Sequence, residues 1–302
     1  MAEVICVGIA YLDYVFEGDF DPSDSRTMFA NDFNQYGGGM AATASVTVAL
    51  LGGFSAFWGR LGNDETGLQV LDGLTRHGVQ TEHVRLITGA QSPISSILIG
   101  ADGVRRETVF SGRDLDSDAS WLPLGRIEDT SALLVDPRWP EAAMRVLQEA
   151  FDHRVPAVLD GTAGPHPVPR ELVELASYVV FSKAGLEQYT GRSDIPGALE
   201  AAAANTEARV GVTSGWDGFD WLDEDGSAQR AAPLDLPLID TLGARDVFLG
   251  AFALALGERK ELGLAARFAN AAAGLKCAKP GGRGAIPCRA EIWELLDAAD
   301  AA

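Results

Sequence analysis

The feature that most restricts the fold of this chain is an alternation repeated along most of its 302 residues. Short continuous apolar runs at 4–9, 55–58, 132–135, 157–159, 178–181 and 210–212 alternate with helical patterns at 39–51, 68–77, 141–152, 171–176 and 195–204. A strand wetted on one face alternates polar with apolar residues, whereas a continuously apolar strand is covered on both faces. Helices before and after such strands supply the cover. The pattern therefore predicts an α/β fold with a central, mostly parallel sheet flanked by helices. The last third turns helical, at 247–257, 262–278 and 290–298. The Ala-rich stretch 198–204 reflects helix propensity rather than chemistry.

Two segments break the rhythm. Residues 14–36 are polar and turn-rich. Residues 92–110 read as a hairpin, 94–99 and 104–110 around Ala101-Asp102-Gly103, because Asp-Gly between alternating runs favours a tight turn. Both are expected as short antiparallel strands standing off the main sheet, inserted in a single domain that spans 1–302.

Open α/β sheets bind ligands beyond the carboxyl ends of their strands. Polar residues collect at those ends: Asp13, then Asp136 and Arg138, Asp160, Ser182 with Lys183, and Thr213 with Ser214. Each alone is ordinary turn chemistry, so the pattern gives the place of a site and not its reaction. The net charge of −19 argues against nucleic acid and anionic membrane surfaces as partners, since both demand a basic face. An anionic substrate would need a local arginine cluster to overcome that field. No apolar run is long enough to span a bilayer. Cys6, Cys277 and Cys288 lack paired spacing, and are expected as reduced thiols of a cytoplasmic protein. The N-terminus enters a strand-like run without a basic leader.

The segment Asp240-Thr241-Leu242-Gly243-Ala244-Arg245-Asp246 runs from a polar turn into an apolar helix. Free amides at a helix start attract anions. A carboxylate there, Asp246, serves either as a helix cap or as a general base beside a phosphate held by the amides.

This segment resembles the Asp-Thr-x-Gly-Ala-Gly-Asp signature of the ribokinase-like (PfkB) sugar kinases. Further motifs follow in the same order as in that family. Gly37-Gly38-Gly39 leads into the small-residue helix 41–49, and Gly59-x-x-Gly62-x-Asp64-x-x-Gly67 comes next. Thr213-x-Gly215-x-x-Gly218, Asn270 and Gly281-Gly282 complete the set. The resemblance implies an ATP- and Mg2+-dependent carbohydrate kinase with a small β lid that also forms a homodimer. It implies Asp246 as base and an anion hole of Gly243, Ala244 and Arg245. Sugar would be held by Asp13, Gly38, Gly39, Arg138 and Asp160. Nucleotide would be held by Thr213, Gly215, Gly218, Asn270 and Gly281. Metal ligands are not assigned.

Five further segments resemble the sulfofructose-kinase-like branch: Pro137-Arg138-Trp139, residues 158–161, Phe181-Ser182-x-x-Gly185-Leu186, residues 220–222, and residues 275–283. Arg138 matches an Arg that in that branch reaches the anionic end of the sugar. Thr27 and Val109 stand where the branch has Lys and Asn. Arg26, Arg105, Arg106 and Arg113 are the nearby cations, expected to be solvated. Ser182 and Gly185 replace the ends of the wider family's Asn-x-x-Glu, and Thr43 replaces its helix Asn.

Arg245 replaces the family's central glycine. It either plugs the anion hole, leaving a catalytically silent sugar or nucleotide binder, or turns outward to bind phosphate. A dehydrogenase is disfavoured, because no Gly-x-Gly-x-x-Gly follows the first strand.

Overall fold

A computed structural model describes residues 1–20 and 27–301; Arg26 lies outside them. The strands are β1 (Glu3–Gly8), β2 (Tyr11–Glu17), β3 (Asp32–Gly38), β4 (Phe54–Gly62), β5 (Val84–Ile87), β6 (Ile94–Ile99), β7 (Arg105–Phe110), β8 (Ala132–Val135), β9 (Ala157–Gly161), β10 (Tyr178–Ser182), β11 (Arg209–Thr213), β12 (Phe219–Leu222) and β13 (Ala228–Ala231). The α-helices are α1 (Met40–Leu50), α2 (Glu65–Arg76), α3 (Pro140–His153), α4 (Arg170–Leu175), α5 (Lys183–Thr190), α6 (Ile195–Ala203), α7 (Ala244–Gly257), α8 (Leu262–Cys277) and α9 (Arg289–Asp300).

The main sheet has the order β13-β12-β11-β10-β9-β8-β1-β4-β5. It is parallel from β11 to β5, with β12 and β13 antiparallel at one edge. Successive β1 residues enter opposite cores. Val4 and Cys6 pack towards α1, α7, α8 and α9, while Ile5 and Val7 pack towards α3, α4 and α6. That is the double coverage that the unbroken apolar runs require.

Helix α7 is buried on every side from Val247 to Leu256, so it lies inside the layer and not on it. It presses on α1 where Gly250 meets the Ala44 backbone; a β-carbon there would lie 2.5 Å from the Ala44 carbonyl oxygen. This contact brings the amino ends of α1 and α7 together. Phe252 is buried in the same core, and its truncation to Ala would cost about 3–5 kcal/mol.

The second sheet, β3-β2-β6-β7, uses the two segments that broke the rhythm. It is not wholly antiparallel as expected: β2 pairs parallel with β6. Strand β2 also starts at Tyr11, so Asp13 belongs to this second sheet and does not close the first strand. Strand β1 ends at Gly8, where a β-carbon would fall 2.3 Å from the Asp136 side chain, so the position requires glycine. Strands β5, β12 and β13 and helix α5 were not anticipated.

The motif around Asp64 forms a structural joint. Asp64 caps α2 through the Gly67 amide and accepts hydrogen bonds from the Ser92 amide and hydroxyl. The three cysteines are free thiols; Cys6 and Cys277 are buried and Cys288 is exposed. Among the described residues no helix is long and apolar enough to cross a membrane.

Candidate active site

Two cavities open at the carboxyl end of the main sheet and share a wall at the start of α7. The larger, about 640 Å³, is lined by Asp13, Gly37–Gly39, Thr43, Arg138, Asp160, Gly243–Asp246 and Arg283, among others. The smaller, about 460 Å³, has Thr213, Gly215, Gly218 and Asn270 at its polar edge and Leu234, Leu236, Leu238, Phe248 and Ala273 as its body. Thr241, Ala244, Arg245 and Arg105 border both. Four arginines, Arg105, Arg138, Arg245 and Arg283, therefore line the larger cavity of a strongly acidic chain.

The turn before α7 is held from below. Lys276, buried, donates to the Asp240 carboxylate at 2.8 Å and to its carbonyl at 2.9 Å. The same carboxylate accepts from the amides of Leu242 and Gly282. Gly243 then takes a left-handed φ of 73°, which glycine adopts without penalty. Ala244 donates its amide to the Thr241 carbonyl. It is therefore not a free anion-hole donor, contrary to expectation. The amides of Gly243, Arg245 and Asp246 have no acceptor among the described residues. Asp246 faces the larger cavity. Burial, then the nearby Asp160 carboxylate, pushes its pKa up to about 7, against the opposing pull of Arg138 and Arg245. It is a carboxylate that can take up and release a proton near neutrality, and Asp246 does not act as a side-chain cap.

Each glycine of the 37–39 run makes room for a neighbour. A β-carbon would lie 2.2 Å from Arg283 Nη1 at Gly37 and 2.0 Å from Asp13 Oδ2 at Gly38. Gly39 caps α1 at φ 88° against the Ile9 carbonyl. Asp13 accepts from the Ser95 hydroxyl at 2.6 Å, and burial raises its pKa above the usual carboxylate value. Arg283, 6% exposed, donates to the Gly38 carbonyl and the Thr43 hydroxyl. Burial lowers its pKa to about 10. Its Nη1 has no acceptor among the described residues. Sequence reading assigned Arg283 no role; the signal was Thr43 in place of the helix Asn, a gap that the guanidinium fills.

Three expectations change. Arg138 lines the cavity, but it forms a two-point pair with Asp136, Nε to Oδ1 at 2.8 Å and Nη2 to Oδ2 at 3.0 Å. Nη1 and the second N–H of Nη2 are left for a ligand. Asp160, 1% exposed, spends Oδ1 on Arg245 and Thr162 and is an anchor more than a substrate ligand. Gly281 lies in neither cavity; it borders a separate recess with Tyr36 and Gly73, because its loop turns under β3.

Arg245 does not plug the helix start. Its backbone is an ordinary helical one. Its side chain runs down to the strand ends, where all of its N–H groups meet protein oxygens. Nε donates to Thr162, Nη1 to Thr213 and the Phe181 carbonyl, and Nη2 to Asp160 and the Val180 carbonyl. The silent-binder reading, which rested on a plugged hole, loses its basis. Thr27, Val109, Arg106 and Arg113 are exposed. Arg105 is exposed too, yet it borders both cavities.

Comparison with known proteins agrees with this geometry. The pfkB family carbohydrate kinase profile matches residues 1–289. The chain belongs to this family. It is an ATP-dependent carbohydrate kinase with the ribokinase fold. Over 300 residues it is 29% identical to a ribokinase of Bacillus subtilis (strain 168), covering 98% of this chain and 100% of that one. A crystal structure from Agrobacterium tumefaciens, provisionally named a ribokinase, superposes with a TM-score of 0.94 at 32% identity over 100% and 99% of the two chains. The ribokinase of Arabidopsis thaliana complexed with ribose and ATP superposes with a TM-score of 0.86 at 24% identity, over 98% of each chain.

Proposed function

We propose that this kinase transfers the γ-phosphoryl group of ATP to a hydroxyl of a sugar or sugar acid that carries an anionic group, such as an anionic ketose. The observation that carries the reading is the shared wall. An apolar cavity suited to a nucleoside and a charged cavity suited to a polyol meet where Asp246 and the free amides of α7 converge. Adenosine lies against Leu234, Leu236, Leu238 and Phe248, with Thr213, Gly215, Gly218 and Asn270 at the polar edge. Asp13 accepts from sugar hydroxyls and Arg283 donates to one, both beside the Gly38–Gly39 backbone. Asp246 removes the proton of the attacking hydroxyl. The amides of Gly243, Arg245 and Asp246 hold the developing phosphoryl charge, a role in which positioned donors contribute most of the catalysis.

No group of three or more His, Cys, Asp or Glu side chains converges on a metal position among the described residues. A Mg2+ ion, if it accompanies ATP, would be carried by the nucleotide phosphates and would neutralise their charge. The anionic group of the acceptor lies at Arg138 Nη1 and Arg105. The five segments similar to the sulfofructose-kinase-like branch support this choice. Thr27 and Val109 lack the polar reach for sulfofructose itself, so the acceptor is proposed as a class. The pairing of Arg138 with Asp136 favours a second reading, a neutral sugar.

An ADP-release assay over matched neutral sugars, sugar acids and anionic ketoses separates the two. The proposal expects the highest kcat/KM on an anionic acceptor; a neutral hexose or pentose that outperforms all of them overturns it. A homodimer through the second sheet is proposed as well, since Phe33, Val109 and Phe110 are exposed on it and Phe29 just before β3. Light scattering at micromolar concentration should return twice the 31.9 kDa chain mass, and a monomer there would refute it.

A further inference from the structure

Arg245 holds a collection of oxygens that its own chemistry does not require. One carboxylate oxygen (Asp160 Oδ1, 2.5 Å), two carbonyls (Val180, 2.6 Å; Phe181, 3.1 Å) and two hydroxyls (Thr162, 2.7 Å; Thr213, 2.5 Å) converge on one guanidinium. They come from the carboxyl ends of three adjacent parallel strands, β9, β10 and β11, and the loop after β9. Carboxylate, carbonyl and hydroxyl oxygens are the ligand set that hard cations take. The cage is 81% shielded at the Arg245 side chain and nearly closed at Asp160. All five guanidinium N–H groups are engaged, which leaves none to bind a phosphate.

We propose that Arg245 is a tethered cation: its guanidinium fills an oxygen cage at the shared wall of the two cavities that, without it, would take a free cation. It is a positioning residue, not a ligand of the transferring group. Removing it would leave Asp160 as an unpaired buried carboxylate beside the path of the nucleotide phosphates. Such a charge is costly to the fold and repels the triphosphate. It would also act on Asp246, which is faced by Asp160 on β9, Asp13 on β2, Arg138 after β8, Arg283 after α8 and Arg245 on its own helix.

The test uses Arg245→Ala with ethylguanidinium as the free cation. Calorimetry should detect ethylguanidinium binding to the variant and not to the wild type, and the same additive should raise the variant's Tm by several degrees. In the kinase assay the variant should lose at least tenfold in kcat/KM, with its acid limb displaced to higher pH. Millimolar ethylguanidinium should reverse both changes. A variant within twofold of wild type in kcat/KM and unchanged in Tm overturns the proposal, as does a crippled variant that binds no ethylguanidinium.

Should Arg245→Ala accumulate unfolded, the double variant with Asp160→Asn decides the matter. With the unpaired carboxylate gone it should fold and melt above the single variant; a double variant no more stable than the single one contradicts the cage. Binding and melting are read without turnover, so they stand apart from the identity of the acceptor.

Discussion

The two cavities meet at one helix start but are built on opposite principles. The smaller is walled by Leu234, Leu236, Leu238, Phe248 and Ala273, and reads a ligand by shape. The larger is crowded with ionised groups already paired within the protein: Arg138 with Asp136, Arg245 with Asp160, and Arg283 with the Gly38 carbonyl and Thr43. A ligand entering the first displaces water from apolar surface. A ligand entering the second must add hydrogen bonds to a network that is nearly complete, so small differences in the acceptor have large effects. Asp246 lines the larger cavity next to Arg245 on the shared wall and forms no ion pair among the described residues, so its proton affinity responds to what fills that cavity.

The comparison is broken most severely at Asp246. Asp246→Asn keeps the shape of both cavities and should lower kcat by about 10²–10⁴, while ATP affinity by calorimetry stays within twofold. Turnover close to wild type would remove Asp246 as the base. Next in size is the apolar side. Ala273→Phe should fill space meant for the nucleoside and raise KM for ATP at least tenfold with the acceptor KM unchanged; equal effects on both substrates would mean that the cavities are not separate sites.

On the charged side, Arg283→Ala should raise acceptor KM more than Arg138→Ala. Charge-assisted hydrogen bonds are worth about 1.5–3 kcal/mol, and Arg138 shares its charge with Asp136. The reverse ranking would move the acceptor towards β8.

The smallest effect is on stability. The folded pKa of Asp246, about 7, lies above its ordinary 3.8. The protonated carboxyl therefore suits the fold, and stability is lost as pH rises through 7. Asp246→Asn should consequently raise Tm at pH 8 and leave it nearly unchanged at pH 4. A Tm gain independent of pH would show that burial does not raise this group's pKa.

What the sequence revealed follows from distance along the chain. The parallel sheet was legible because coverage of both faces removes alternation from each strand separately. The start of α7 was legible because Gly243 and Asp246 are local to it. Asp13 falls on the second sheet because its strand pairs with β3 and β6, and its β6 partner, Ser95, lies 82 residues along the chain. Arg283 went unassigned because its contacts with Thr43 span 240 residues. The direction of Arg245 depends on oxygens from β9, β10 and β11, which come together only when the sheet forms. Strands β12 and β13 were missed because an edge pair of four-residue strands carries little periodicity.

The central claim is that Asp246, in the charged acceptor cavity beside the wall it shares with the apolar nucleotide cavity, is the base of phosphoryl transfer. The pH dependence of kcat/KM tests it most directly, with ATP saturating and the acceptor varied. A base of pKa about 7 must be ionised to act, so kcat/KM should be flat above neutrality and fall tenfold per pH unit below it. The residual activity of Asp246→Asn should lack that limb. A wild-type profile flat down to pH 5, or a limb near 7 that persists in Asp246→Asn, would contradict the account.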